Sequence, residues 1–309
     1  MKTTTKIKVV GVGGSGCNAI SRMMKYKIKG IELVALNTDA QDLKKTRANF
    51  KLRIGKKITQ GLGTGMNPEI GKRAALESKE EISEIVKDAD MIFITGGFGG
   101  GTGTGASPVV AEICKNLGIL TVAIITSPFS FEGQFRKKIA ERGIRKIKDR
   151  VDSLLSIQND KLLEILDSNT TVVNAFWMCD DILRQAVQGI SDLILLPGII
   201  NVDFADVKAI MKNSGTAIFG TGRGKGEKRA EEAVKTALNS PLLGISCRGA
   251  KGVLFNVSGN KDISLSEIDE AARVITQEIN PEAKVIFGAV QDEKLKKGEI
   301  KITIIATGF

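Results

Sequence analysis

At 309 residues the chain exceeds the usual size of a single hydrophobic core, so two domains are expected. Hydrophobic residues make up 42% of it, no apolar run reaches the length of a transmembrane helix, and the start Met1-Lys2-Thr3-Thr4-Thr5-Lys6 lacks the apolar centre of a signal peptide, which together describe a globular cytoplasmic chain without direct membrane insertion. A formal charge of +10 would suit an anionic partner, yet the lysines are spread along the sequence and one Trp and one Tyr provide no stacking surface, so nucleic acid is not expected as a partner.

The first element is a strand over residues 6–10. It runs into Gly11-Val12-Gly13-Gly14-Ser15-Gly16 and a helix-like segment from Cys17 to Met24, with the G-x-G-x-x-G spacing between strand and helix. By itself this pattern leaves an NAD-dependent Rossmann oxidoreductase open, with Asp39 as the ribose-binding acid after residues 32–37. Cys17 is either a thiol activated by a helix terminus or a small buried apolar residue. Gly61 to Glu69 forms another glycine-rich turn, and a helix over residues 68–86 follows, capped by Asn67 and Pro68. An apolar strand, Met91-Ile92-Phe93-Ile94, then leads into Gly-Gly-Phe-Gly-Gly-Gly-Thr-Gly-Thr-Gly over residues 96–105, in which seven of ten residues are glycine. That density fits main-chain N–H groups closing on phosphate at the start of a helix, with Thr102 and Thr104 adding hydroxyls and Pro108 in the first helical turn. A side chain at Gly103 is expected to enter the phosphate path. Two glycine loops on neighbouring strands suit a triphosphate better than a dinucleotide. The continuous apolar run over residues 120–125 reads as a strand buried on both faces of a parallel sheet.

The run Gly99-Gly100-Gly101-Thr102-Gly103-Thr104-Gly105 is similar to the G-G-G-T-G-T-G phosphate loop of the tubulin and FtsZ superfamily of GTPases. The resemblance continues through Asn37-Thr38-Asp39-Ala40-Gln41, Asn67-Pro68-Glu69, Pro128-Phe129-Ser130-Phe131-Glu132-Gly133, and residues 183–193 and 201–208, so it covers essentially the whole chain. It implies a site for GTP or GDP, with Mg2+ held through the nucleotide phosphates. Gly13, Gly14, Ser15, Gly16, Cys17, Asn18, Asn37 and the loop from Gly99 to Gly105 would bind nucleotide. Ser15 and Cys17 depart from the family pattern, which commonly has glycine and asparagine there. Glu132 and Arg136 would contact ribose and phosphates, although residues at this spacing also form helical ion pairs. Guanine selectivity would come from Asn159, from Phe176 stacking on the base, and from Asp180. The adjoining Trp177-Met178-Cys179 is bulkier than the family pattern, and Asp180 is equally suited to capping a helix.

A long helix starts at Asp180 or Asp181 and ends at Pro197-Gly198, with apolar residues at helical spacing. Next comes Asn201-Val202-Asp203-Phe204-Ala205-Asp206, where Asp203 can cap a helix and Asp206 lies one turn inside it. The resemblance identifies Asn201, Asp203 and Asp206 with a catalytic loop that enters the nucleotide site of the next subunit. Beyond it, strands at residues 217–220, 252–257, 284–290 and 299–306 alternate with helices at 228–238 and 266–279. No histidine is present, and Cys17, Cys114, Cys179 and Cys247 are scattered, so no protein metal site is expected and hydrolysis rests on carboxylates, backbone dipoles or a metal-bound nucleotide.

The reading is therefore an α/β chain: a doubly wound, mostly parallel GTP-binding domain over 1–178, a central connecting helix over 179–200, and a smaller C-terminal α/β domain over 201–309. By resemblance it is a GTPase that self-associates head to tail into filaments of the mid-cell division ring, with each active site completed between subunits. A scaffold filament with little hydrolysis is the other filament reading. Division proteins and membrane adaptors are conceivable partners, with the family's usual C-terminal tail expected to be absent.

Overall fold

Strands of Val, Ile and Leu alternate with helices through the first of two compact units, Met1–Gln188, and a second unit spans Gly189–Phe309. The structure, a computed structural model, describes residues 5–28, 30–164, 166–167, 169–196, 198–240 and 247–309.

The first unit contains β1 (Ile7–Val12), α1 (Gly13–Tyr26), β2 (Ile31–Asn37), α2 (Ala40–Lys45), β3 (Phe50–Arg53), α3 (Lys56–Thr59), α4 (Pro68–Glu77) and α5 (Lys79–Val86). It continues with β4 (Met91–Gly97), α6 (Thr102–Asn116), β5 (Leu120–Ser127), α7 (Gln134–Lys148), β6 (Ser153–Gln158), α8 (Asp160–Leu163) and the start of α9 (Val172–Leu195). Its strands lie in the order β3-β2-β1-β4-β5-β6, and every pair is parallel. β1, β4 and β5 are buried almost throughout, which is why they read as unbroken apolar runs rather than alternating ones. The strand order reverses between β1 and β4, and in such sheets the crevice beyond the carboxyl ends of these strands is where a ligand is received.

α6 is buried on every side through its first ten residues and packs against α4, α5 and α7, so it carries small and apolar residues all round. It starts earlier than the sequence suggested. Pro108 consequently stands in its second turn, where it cannot donate to the carbonyl of Thr104. The single helix expected over residues 68–86 is two helices, because the backbone turns at Ser78, whose hydroxyl accepts the Gly55 N–H at 3.2 Å. α9 begins at Val172, two turns before the expected start, which places Asp180 inside the helix and removes the capping role weighed for it. Pro197, read as the helix terminator, lies outside the described residues.

The second unit holds the remainder of α9, β7 (Gly198–Ile200), α10 (Phe204–Met211), β8 (Gly215–Lys225), α11 (Arg229–Leu238), β9 (Gly252–Gly259), α12 (Leu265–Gln277), β10 (Lys284–Gln291) and β11 (Glu299–Thr307). Its strands run β8-β11-β9-β10-β7, antiparallel except for the β9/β10 pair. The apolar faces of α11 and α12 close one core with Val253, Phe255, Ile302 and Ile304. Arg229, itself buried, ties the start of α11 to Asp262 (2.7 Å) and to Glu267 (2.5 Å), and Glu267 also completes the capping box of α12 with Ser264.

Candidate functional site

A cavity of about 410 Å³ opens at the carboxyl ends of β1, β4 and β5. Helix α1 opens directly after β1, and α6 opens at Thr102 after the second glycine loop, so the unpaired first-turn amides and positive dipole ends of two helices meet at one crevice. Their contact is made by glycine. Gly13 has φ +74°, and a Cβ there would stand 2.8 Å from the Gly103 amide nitrogen. A Cβ at Gly103 would stand 2.9 Å from the Gly97 carbonyl oxygen and 3.1 Å from that of Val12. Gly103 therefore seats α6 on the ends of β1 and β4, which corrects the expectation that its missing side chain clears a phosphate path.

The structure brings Gly13, Gly14, Ser15, Asn18, Gly100, Gly101, Thr102, Gly103, Glu132, Arg136, Asn159, Phe176 and Asp180 to this cavity. Thr102 joins a cluster of hydroxyls, 2.8 Å from Thr38 Oγ1 and 3.3 Å from Thr64 Oγ1. Thr104 does not add a hydroxyl to the cavity, because its Oγ1 accepts the Gly99 N–H at 2.9 Å and braces the loop from behind. Gly16, Gly99 and Gly105 likewise stand outside the cavity lining: Gly16 seats α1 on β1 and β4, Gly105 seats α6 on α4, and Gly99 lies in the turn before α6, against Pro128 and Arg136. Cys17 is buried, and burial pushes its thiol up to about 12, so the residue packs rather than reacts. Asn37 is buried behind the loop, its Nδ2 donating to Asp42 at 2.7 Å and its Oδ1 accepting the Thr38 amide at 2.9 Å. Burial, helped by neighbouring Asp39, raises the Asp42 carboxyl above the ordinary range.

In the same cavity, the Glu132 carboxylate accepts the Phe129 amide at 2.9 Å and pairs with Arg136 at 3.1 Å, so the helical ion pair is formed. Asn159 is buried with its Oδ1 unpartnered, an orphaned acceptor at a ligand cavity. Phe176 is 40% exposed and held edge-on by Phe129. Asp180 is buried, which raises its carboxyl above the ordinary range, and the Arg22 guanidinium at 2.8 Å opposes that rise. Arg22 in turn lies over the Trp177 ring at 5.5 Å. Nothing in the sequence pointed to Arg22, which is 158 residues from its partner. Gly97, Thr126 and Ser127 were also missed, although their place at the ends of β4 and β5 is where such sheets receive ligands.

Asn201, Asp203 and Asp206 lie in the second unit. Asp203 caps α10 by accepting the Asp206 amide at 2.9 Å, Asp206 returns the contact to the Asp203 amide at 3.4 Å, and Asn201 Oδ1 accepts the Gly198 amide at 2.8 Å.

Residues 6–167 match the tubulin/FtsZ family GTPase domain, and residues 215–309 match the C-terminal domain of the FtsZ family. The chain belongs to the tubulin/FtsZ family. A structure of an empty FtsZ dimer from M. jannaschii is 49% identical to it, covering 100% of this chain and 89% of that one with a TM-score of 0.95. A single-residue variant of FtsZ from M. jannaschii has the same identity and TM-score over 99% of this chain and 92% of that one. A GTPγS-bound protofilament of CetZ2 from Haloferax volcanii shares the fold alone, at 20% identity and a TM-score of 0.84 over 98% of this chain and 92% of that one. Membership of the tubulin/FtsZ family implies guanine nucleotide binding and sets aside the dinucleotide oxidoreductase that the first glycine loop left open.

Proposed function

We propose that the chain binds GTP in the crevice between β1 and β4, hydrolyses it, and self-associates head to tail into filaments that form a division ring. The observation that carries the reading is the meeting of two helix starts at a cavity that also holds a buried carboxylate, an orphaned amide oxygen and a half-exposed aromatic ring. The amides at the heads of α1 and α6 would hold phosphates. Asp180 would accept the two adjacent N–H donors on the edge of guanine, Asn159 would meet a further polar atom, and Phe176 would lie against the base. Adenine offers no such donor pair, so leaving these buried groups unpaired should cost ATP about 1–3 kcal/mol, roughly tenfold to a hundredfold in affinity. Mg2+ would be held through the nucleotide phosphates.

In this proposal Asn201, Asp203 and Asp206 act on the nucleotide of a neighbouring subunit. Helix capping engages one oxygen of each aspartate, and the second oxygen of each would orient and polarise water. The test mixes two variants. Gly100→Phe is chosen to block the crevice, since a Cβ at Gly100 meets nothing within 4 Å, and Asp206→Asn removes the acid. Each alone should release phosphate ~10² to 10⁴ more slowly than the parent chain. Their mixture should recover hydrolysis, and turnover per chain of the unmodified protein should rise with concentration and level off. A mixture that co-assembles and stays inactive, or Asp206→Asn hydrolysing at the normal rate, overturns the shared site. Equal affinity for ATP and GTP overturns the base assignment.

A further inference from the structure

A second, larger groove of about 590 Å³ lies between α4, α6 and α7, on the flank of α6 rather than at its head. Its apolar wall is made by Met66, Pro68, Pro108, Val109, Phe135 and Ile139. Phe135 is 64% exposed, an aromatic ring left in solvent at the rim. Four basic side chains, Lys72, Arg142, Lys146 and Arg150, face two acidic ones, Glu69 and Glu112. Lys146 pairs with Glu69 at 3.0 Å and Arg150 with Glu112 at 3.4 Å. Lys72 and Arg142 form no ion pair among the described residues, so the groove keeps a positive excess beside an apolar wall. A volume in this range, mostly apolar with a few charged groups at its edge, is that of a small-ligand site.

Two residues belong to both cavities. Gly65 and Met66 line the groove and the crevice alike, and Met66 holds φ +60°, a conformation that side chains other than glycine and asparagine rarely adopt. Met66 thus carries a flexible thioether on a strained backbone where the linings of the two cavities adjoin. We propose that the groove binds a small amphipathic anion, an apolar body carrying one or two acid groups, and that its occupancy is coupled to the nucleotide crevice through Gly65 and Met66. The coupling rests on the nucleotide reading above, whereas the groove does not.

The test uses the full chain and 1-anilinonaphthalene-8-sulfonate, an aromatic monoanion that brightens on leaving water. With GDP saturating, so that the crevice is filled, the expected result is saturable binding. Arg142→Glu or Phe135→Ser should weaken it roughly threefold to tenfold, in proteins whose melting temperature is unchanged. The uncharged probe N-phenyl-1-naphthylamine should bind more weakly than the sulfonate. Omitting GDP should change the sulfonate affinity, and the sulfonate should change GDP affinity by the same factor, since linkage is reciprocal. Unchanged titrations for both variants, or equal binding of the neutral probe, overturn the groove. Loss of all sulfonate binding on adding GDP also overturns it, because the probe was then in the crevice. Equal affinities with and without GDP overturn the coupling alone. If GDP itself does not bind, the nucleotide reading has failed, and the two variants still decide the groove.

Discussion

Replacing Arg22 by glutamine removes the cation that opposes the rise of the Asp180 carboxyl while leaving a polar side chain of similar reach. The Arg22 side chain is 25% exposed and that of Asp180 10%, with 2.8 Å between Nε and Oδ2. Breaking a fully buried pair costs about 3–5 kcal/mol, and the open cavity beside this one lowers the expectation to about 1–3 kcal/mol. Burial already raises the carboxyl, and the hydrogen bond and charge of Arg22 are what oppose it, so the variant's carboxyl is raised further. A carboxyl whose folded value lies above its unfolded value stabilises the fold when protonated, and that contribution is lost as pH rises through the folded value. The variant should therefore lose this part of its stability over a window reaching closer to neutrality. In the proposed base assignment guanine binding needs the ionised form, so the sign for affinity is opposite. GTP affinity of Arg22→Gln should climb as pH rises, over a higher range than that of the parent chain, because its carboxyl ionises later. Inosine triphosphate, which lacks the exocyclic amine, separates this from simple damage. The preference for GTP over inosine triphosphate should fall by about tenfold at the low end of that range, equivalent to about 1.4 kcal/mol. If the variant loses both nucleotides equally and independently of pH, Arg22 is only structural. If it binds GTP as the parent does, the reasoning is wrong.

Gly103→Ala should lower the melting temperature without nucleotide by several degrees, because its Cβ meets two backbone carbonyls, at about 1–3 kcal/mol for overpacking, whereas Gly100→Ala should melt as the parent chain; equal melting of the two would refute the seating role. Arg229→Met should cost about 3 kcal/mol by stranding Asp262 and Glu267, measured by urea denaturation. Arg229 holds both carboxyls below the ordinary range, so their contribution is present above the unfolded carboxylate values near 4 and is lost as pH falls through the folded ones. The acid sensitivity of the parent chain should accordingly flatten in this variant, and an unchanged pH profile would show that the pair is not responsible.

What could be read in advance is what chain-local physics imposes. Two backbones cannot come as close as Gly13 and Gly103 unless both positions lack a side chain, so the glycine loops were visible in the sequence. Asp203 and Asp206 were legible as a helix start because capping is set by residues three apart. The Arg22–Asp180 pair was not, since it depends on where α9 begins, and that helix carries apolar residues two turns upstream of its first acid. β3 and β7 were missed for a related reason. They are short, and β3 leaves Phe50 half exposed, so neither shows the buried run or the clean alternation that marks a strand. The role of Thr104 was misread because a hydroxyl beside a phosphate loop can face the ligand or the loop, and only the fold decides which.

The chain has one tryptophan, and it sits beneath the guanidinium of Arg22, next in sequence to the aromatic ring of Phe176 that lines the cavity. Trp177 is 39% exposed, so its indole is in contact with water that a bound base or a shifted Arg22 would rearrange. Excited at the red edge, where tyrosine does not absorb, the unmodified protein is thus its own optical reporter. The colour and lifetime of its emission would register occupancy of the crevice in the proposed reading, and no dye or labelled nucleotide has to be introduced.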